Sequence, residues 1–226
     1  MILASAFTGA FSFIAHHPGF LAEKAAEQLE LSGAALGLAL VMALPAGVGL
    51  GHLHRGAGVA IGASIVGRAL PSLVLIGVFL TVLGIGFVNN MVALAVLATG
   101  PVLTNSYEAV DRIDRGAVEA ARGMGMTPLQ ILARIELPLA LPLLFTGIRV
   151  AAVTVVATAP IAAIAGGGGL GDIIVNQASY RLEGVLGASI CVMALSAAVY
   201  GLLLVLQAAV TPRALRPTRV NVSASQ

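Results

Sequence analysis

Long apolar stretches without charged residues dominate the chain. A helix needs about 20 apolar residues to cross the hydrocarbon core of a membrane, and Leu31–Gly51 supplies one such stretch. Residues 69–107 carry no charged side chain over 39 positions. As a single helix rising about 1.5 Å per residue they would extend roughly 58 Å, nearly twice the core thickness. This stretch therefore predicts two crossings joined by a turn.

The turn is predicted at GIGFVNN, residues 84–90, because glycine and asparagine interrupt apolar patterns at turns. Three glycine pairs have the four-residue spacing that lets helix backbones approach closely; they are Gly33 with Gly37, Gly47 with Gly51 and Gly58 with Gly62. The predicted fold is an all-α, polytopic membrane helical bundle. Its five predicted spans lie near residues 31–51, 59–83, 88–106, 143–165 and 184–212.

Composition agrees with this pattern and excludes a soluble globular domain. The 226 residues are 58% hydrophobic and 10% charged, with a mean hydropathy of +1.00, whereas about a quarter of residues are charged in soluble domains. The net charge is only +2 and the basic residues are dispersed, so the sequence does not indicate a nucleic-acid partner. The single cysteine, Cys191, rules out a disulfide within the chain and a thiolate metal cluster.

The distribution of arginine predicts the orientation. Cytoplasmic loops are enriched in Lys and Arg. The loops on one side hold eight arginines, while the other side holds only Lys24 and Arg181. This predicts an external amino terminus, with a cytoplasmic loop over residues 108–138 and a cytoplasmic, disordered tail over 213–226. Residues 1–30 are predicted to form an interfacial segment before the transmembrane domain at 31–212; a sixth span at residues 1–15 is the alternative.

The 108–138 loop contains most of the charge of the chain and the sequence EAARGMGMTPLQILARIELP. We predict a short helix through Glu119–Arg122, a break at Gly123 and Gly125, and a second helix after Thr127. Threonine is a favourable N-cap, and Pro128 suits the first helical turn. Because of their spacing, Leu129, Leu132 and Ala133 are predicted to share an apolar face.

This segment resembles the cytoplasmic signature of type I ATP-binding-cassette importer permeases, in which EAA is followed by glycine, isoleucine and LP at fixed spacing. The resemblance implies a methionine-permease-like fold and a loop that docks onto a separate ATPase. The residues that carry the pattern are Glu119, Ala120, Ala121, Gly125, Ile135, Leu137 and Pro138, with Gly123 also in the predicted break.

Further segments, including RALPSLVLIGVF and GGGGLGD, resemble the branch that imports glycine betaine, choline, carnitine and related osmoprotectants. The resemblance implies a bacterial cytoplasmic membrane protein that works with two ATPase subunits, a second permease subunit, identical or paralogous, and an extracytoplasmic binding protein. ATP and Mg²⁺ would be bound by the ATPase, and no cofactor, metal or catalytic residue is expected in this chain. A permease for methionine or another amino acid remains the alternative.

Hydroxyl groups within the spans are the candidates for lining a weakly selective path. They are Ser72, Thr81, Thr154 and Thr158. The chain has no tryptophan and few other aromatic residues, so a tight aromatic cage for a trimethylammonium group is not predicted. High-affinity selection is assigned to the binding protein.

Several other signals are set aside. Gly166, Gly168 and Gly171 match a dinucleotide fingerprint, but an apolar helix precedes them where that fingerprint requires a strand. We interpret this segment as an external turn, near a neighbouring helix or the binding protein. The four histidines are interpreted as interfacial residues without a site, because no acidic or thiol group accompanies them locally; they are His16, His17, His52 and His54.

Two other functional classes are weaker alternatives. A channel or ion-coupled secondary transporter usually carries ionisable groups in mid-membrane, and an intramembrane enzyme would need a catalytic dyad there. The predicted spans contain no acidic residue. An ion-coupled transporter is therefore kept only as a remote alternative.

Overall fold

The computed structural model describes residues 2–211, and all regular structure within them is helical. The first half of the chain forms α1 (Ile2–His16), α2 (Pro18–His52), α3 (Ala57–Ala69), α4 (Ser72–Leu83) and α5 (Phe87–Asp111). The second half forms α6 (Arg115–Gly123), α7 (Pro128–Ile131), a π-helical segment (Leu132–Glu136), α8 (Leu137–Thr158), a 3₁₀ segment (Ala159–Ala165), α9 (Gly171–Val175) and α10 (Gln177–Val210).

Helix α5 lies at the centre of the bundle and packs against α2, α3, α4 and α8. In its most apolar stretch 61% of the residues are buried, against 6% in α10, so α10 is peripheral and presents apolar side chains outward. The central core is built largely from small and aliphatic residues, including Ala39, Ala98 and Val155.

Close packing of α2 on α5 depends on one of the three predicted glycine pairs. A Cβ atom at Gly47 would lie 2.7 Å from the Leu103 carbonyl oxygen, and one at Gly51 would lie 2.7 Å from that of Tyr107. The predicted close approach is therefore confirmed for this pair. The other two pairs have open space at all four positions, which are Gly33, Gly37, Gly58 and Gly62.

Four helical stretches in the described chain are long and apolar enough to cross a membrane: Pro18–His52, Phe87–Asp111, Pro128–Ala165 and Gln177–Val210. They correspond to the first, third, fourth and fifth predicted spans. The prediction of one continuous helix over residues 59–83 is wrong, because the chain breaks at Leu70 and Pro71 into α3 and α4. Proline lacks an N–H group and restricts the residue before it to extended conformations.

The turn between α4 and α5 lies at two glycine residues. Gly84 and Gly86 have positive φ angles of 77° and 134°, which confirms the turn predicted between the second and third spans.

Residues 2–16 are helical as predicted and pack along α10. Their interfacial position stays a prediction. Helix α2 runs through residue 30 without a break. The predicted disordered tail at 213–226 lies outside the described residues.

Candidate functional site

The EAA segment forms a compact hairpin of two helical arms. The Asp114 side chain caps α6 by accepting a hydrogen bond from the Ala117 N–H at 3.3 Å. Gly125 reverses the chain with φ of 82°. Thr127 and Gln130 form a reciprocal capping box at the start of α7, and Pro128 occupies the first turn. The predicted glycine break and threonine cap are thus confirmed.

The hairpin has its own small core and an exposed outer face. Val118, Ala121 and Ile131 are buried, and Ile135 packs against them. Glu119 and Ala120 are exposed, and so is Leu129 at 75%. The apolar face predicted for Leu129, Leu132 and Ala133 is only partly correct, because Leu132 turns towards the bundle and packs against another core cluster. The exposed residues, including Met124 at 73% exposure, form a surface suited to a partner.

The second arm of the hairpin does not end but continues into α8 through the π-helical segment. The Leu137 N–H donates to the Leu132 carbonyl, five residues earlier. Pro138 explains this geometry, because its ring would clash with the Arg134 carbonyl in a regular α-helix. The LP pair of the motif therefore marks a widened turn where the hairpin joins the bundle.

Two of the four histidines form close contacts with carboxylates. His52 Nδ1 donates to Glu136 Oε2 at 2.6 Å, and the Glu136 side chain is only 3% exposed. His54 Nδ1 donates to Asp111 Oδ1 at 2.9 Å. These contacts were not predicted, because the partners lie 84 and 57 residues away in the sequence. The available signal for the first contact was Glu136, which lies beside an apolar span, because a buried carboxylate needs a partner.

Three of the four predicted path residues line one cleft. Ser72, Thr154 and Thr158 lie around a cavity of about 350 Å³ between the α3–α4 break, α5 and α8. Thr81 is not among the lining residues; its hydroxyl donates to the Val78 carbonyl at 2.7 Å on α4. The remaining lining residues are apolar or glycine: Gly67, Leu70, Leu97, Pro101 and Val150.

The hydroxyl groups in this cleft are oriented by their own helix. Thr154 donates to the Val150 carbonyl at 2.8 Å, and Thr158 donates to the Thr154 carbonyl at 2.7 Å. Each hydroxyl oxygen therefore keeps lone pairs for accepting a hydrogen bond. The cleft can offer a solute weak polar contacts without a fixed charge.

At the opposite end of α2 from the hairpin, the glycine-rich segment packs against that helix. The Gly169 N–H donates to Glu27 Oε2 at 2.8 Å, and Lys24 Nζ lies 2.9 Å from both Glu27 Oε2 and Asp172 Oδ2. Gly168 and Gly169 have positive φ angles. The interpretation of this segment as a turn near a neighbouring helix is confirmed; its relation to a binding protein stays a prediction.

The charged groups of this cluster form ion pairs with one another. Lys24 and Glu27 precede the apolar part of α2. Lys24 is the shared cationic partner of the Glu27 and Asp172 carboxylates. The described residues contain no group of three or more His, Cys, Asp or Glu side chains that could hold a metal ion.

A family match over most of the chain identifies the class of protein. Residues 35–216 match the family of binding-protein-dependent transport system inner membrane components. The chain belongs to this family, which comprises the permease subunits of ATP-binding-cassette importers.

Three curated relatives are similar over almost their whole length. The glycine betaine/carnitine/choline transport system permease protein of Bacillus subtilis strain 168 is 34% identical, with 91% of this chain and 95% of the relative covered. The choline transport system permease protein of the same organism is 34% identical, covering 88% and 93%. The osmoprotectant import permease protein of Salmonella typhimurium strain LT2 is 31% identical, covering 90% and 98%.

Solved structures support the fold. The inward-facing methionine transporter MetNI matches with a TM-score of 0.73 at 24% identity, covering 87% of this chain and 99% of that chain. An amino acid transporter solved with histidines matches with a TM-score of 0.68 at 20% identity, covering 88% and 97%. The methionine-permease-like fold predicted from the sequence is thus confirmed.

Proposed function

We propose that this chain is the permease subunit of an ATP-driven importer for a quaternary-ammonium osmoprotectant, namely glycine betaine, choline, carnitine or proline betaine. The observation that carries the proposal is the similarity, over about nine-tenths of the chain, to permeases named for these solutes. The likeness to the methionine transporter is a likeness of fold at lower identity, so a methionine or amino-acid permease is the weaker candidate.

The exposed face of the hairpin is the proposed docking surface for the ATPase. The motif residues divide into an exposed part, with Glu119 and Ala120, and a buried part, with Ala121 and Ile135. The exposed part would contact the ATPase, while the buried part fixes the shape of the hairpin. ATP and Mg²⁺ would be bound by two copies of that separate subunit, and this chain would have no catalytic role.

The cleft beside the α3–α4 break is the proposed solute path. Its described lining has hydroxyl and apolar groups but no ionisable side chain, which disfavours an ion-coupled secondary transporter. It also has no aromatic side chain to hold a trimethylammonium group by cation–π attraction. We therefore assign tight solute selection to an extracytoplasmic binding protein, and we expect a second permease subunit, identical or paralogous, to complete the pathway.

The proposed orientation places the hairpin and the carboxyl terminus in the cytoplasm and the amino terminus outside. The proposal is supported by the enrichment of basic residues in cytoplasmic loops, because the hairpin side carries Arg112, Arg115, Arg122 and Arg134, all exposed. In this orientation the glycine-rich turn and the Lys24 cluster face the binding protein.

The substrate class is tested by uptake in cells that express the complete transporter. We expect labelled glycine betaine to accumulate at high osmolarity, and excess choline or carnitine to compete with it. Labelled methionine should not accumulate above the level of cells without the transporter. Methionine uptake without betaine uptake would contradict the proposed substrate while leaving the importer class intact.

The path is tested by replacing Thr154 and Thr158 together with valine, which preserves shape but removes both hydroxyl groups from the cleft. We expect uptake to fall by about tenfold or more, since each of the two lost hydrogen-bonding groups contributes about 1 kcal/mol. The matched control is Thr81→Val, outside the cleft, which should leave uptake unchanged. Unchanged uptake in the double variant would exclude these hydroxyls from the path.

A further inference from the structure

The buried pair of His52 and Glu136 joins the end of α2 to the segment that links the hairpin to α8. His52 is the last residue of α2, and Glu136 is the last residue of the π-helical segment between the hairpin and α8. Their 2.6 Å contact leaves the Glu136 side chain only 3% exposed. A buried carboxylate is costly unless it is paired and hydrogen-bonded. This contact therefore fixes the base of the hairpin to the end of α2.

The π-helical segment is a suitable place for the two arms to move relative to the bundle. Short π-helical segments within α-helices often occur at functional positions, and this one lies between the capped start of α7 and the first turn of α8. Its hydrogen bond from Leu137 to Leu132 replaces the tighter α-helical pattern. A displacement of the hairpin would reach α8 through this segment and α2 through Glu136.

Helix α2 is also bonded near its other end, in its third turn, roughly 36 Å along the helix from His52 at about 1.5 Å per residue. There, Gln28 Nε2 donates to the Val156 carbonyl of α8 at 3.0 Å, and Glu27 accepts from the Gly169 N–H at 2.8 Å. Helix α2 is thus bonded at one end to the entrance of α8, and at the other to the exit of α8 and the glycine-rich turn.

We propose that His52 and Glu136 are positioning residues that transmit movement of the hairpin to α2 and, through α2, to the glycine-rich turn at the opposite end. This rests on the proposed function, because it assumes that the ATPase moves the hairpin. Neither residue contacts ATP or has to contact the solute. Their role is mechanical: they make the hairpin and α2 move together.

The first test uses the complete transporter, with its ATPase and binding protein, in proteoliposomes. In His52→Leu and Glu136→Leu, we expect the ATPase to stay bound and ATP hydrolysis to continue. The number of ATP molecules hydrolysed per solute imported should rise about tenfold, as expected when one hydrogen bond to a charged group is lost. The double variant should be no worse than either single variant, because the two residues act as one unit.

Two further variants separate this role from a general effect on folding. The exchange variant, His52→Glu with Glu136→His, restores the pair in reverse and should recover most of the coupling. His54→Leu is the matched control: it removes the other histidine–carboxylate contact, to Asp111 on α5, and should leave the ratio of hydrolysis to uptake unchanged.

The second test does not depend on the solute. In a Cys191→Ser background, spin labels at Glu23→Cys and Ala133→Cys, both exposed positions, report the distance between the start of α2 and the base of the hairpin. Because the pair makes the hairpin and α2 move together, we expect ATP binding to leave this distance distribution unchanged in the otherwise unaltered transporter and to shift it in His52→Leu, where the hairpin moves without α2.

The proposal is overturned if the single variants lose the ATPase, if hydrolysis and uptake fall in parallel, or if the exchange variant fails to recover coupling. An ATP-dependent shift of this distance in the otherwise unaltered transporter, or no such shift in His52→Leu, would also overturn it. Absence of betaine uptake by the unaltered transporter would instead contradict the proposed substrate, and the distance measurement would still decide the role of the pair.

Discussion

Replacement of Gly125 by valine is expected to abolish ATP-driven uptake while the protein remains at its normal level in the membrane. Gly125 has φ of 82° at the reversal between α6 and α7, a region that β-branched residues almost never occupy. The strain of about 1–2 kcal/mol would open the turn and displace Glu119 from its place on the exposed face. The measurement is uptake of labelled glycine betaine at high osmolarity, with membrane levels determined by immunoblot.

The matched control for this variant is Gly125→Asn, because asparagine tolerates the left-handed region. Nothing lies within 4 Å of a Cβ atom at Gly125, so the backbone angle rather than lack of space decides the outcome. Asparagine should preserve most of the uptake. Adding Glu119→Lys to this control reverses an exposed charge of the proposed docking surface and should abolish uptake again. Normal uptake in Gly125→Val would remove the main support for the hairpin as the coupling element.

Replacement of Gly47 by leucine is expected to destabilise the bundle strongly. Even a Cβ atom here would lie 2.7 Å from the Leu103 carbonyl oxygen and 2.7 Å from the Ser106 Cβ, and α5 cannot retreat because its other faces pack against α3, α4 and α8. Overpacking of a core costs about 1–3 kcal/mol or more. The expected result is a lower melting temperature in detergent and less protein in the membrane.

The control for this prediction lies on the same helix. Gly33 is exposed, with nothing within 4 Å of an added Cβ atom. Gly33→Leu should therefore keep or slightly raise stability, since leucine has a higher helix propensity than glycine. Equal melting temperatures for the two leucine variants would show that the contact between α2 and α5 at Gly47 is not as close as described.

Apolar run lengths and local turn signals predicted most of the fold. The four long helices follow from uncharged stretches, and the turn at Gly84 and Gly86 follows from residues that adopt positive φ angles. The break at Pro71 was missed because prolines also occur inside helices that stay continuous, as at Pro45 in α2 and Pro101 in α5. Whether a proline breaks a span depends on the surrounding packing, which the sequence pattern does not show.

In the candidate site, features that depend on neighbouring residues could be predicted from the sequence, and contacts between distant residues could not. The hairpin could be predicted because Thr127, Gln130 and Gly125 act within a few residues of each other. The contact of His52 with Glu136 could not, because it depends on how α2 and α8 come together across 84 residues. Spacing alone also could not show which hydroxyl groups share a cleft, and Thr81 was included for that reason.

The break between α3 and α4 has a consequence for hydration. The last carbonyl groups of a helix have no partners within it, and an unsatisfied backbone group costs several kcal/mol in hydrocarbon. Gly67, Leu70 and Ser72 of this break line the cleft, so the end of α3 lies where water can reach it. The carbonyl groups freed by the break at Pro71 are therefore expected to bond water in the cleft, and a solute that binds there would displace that water.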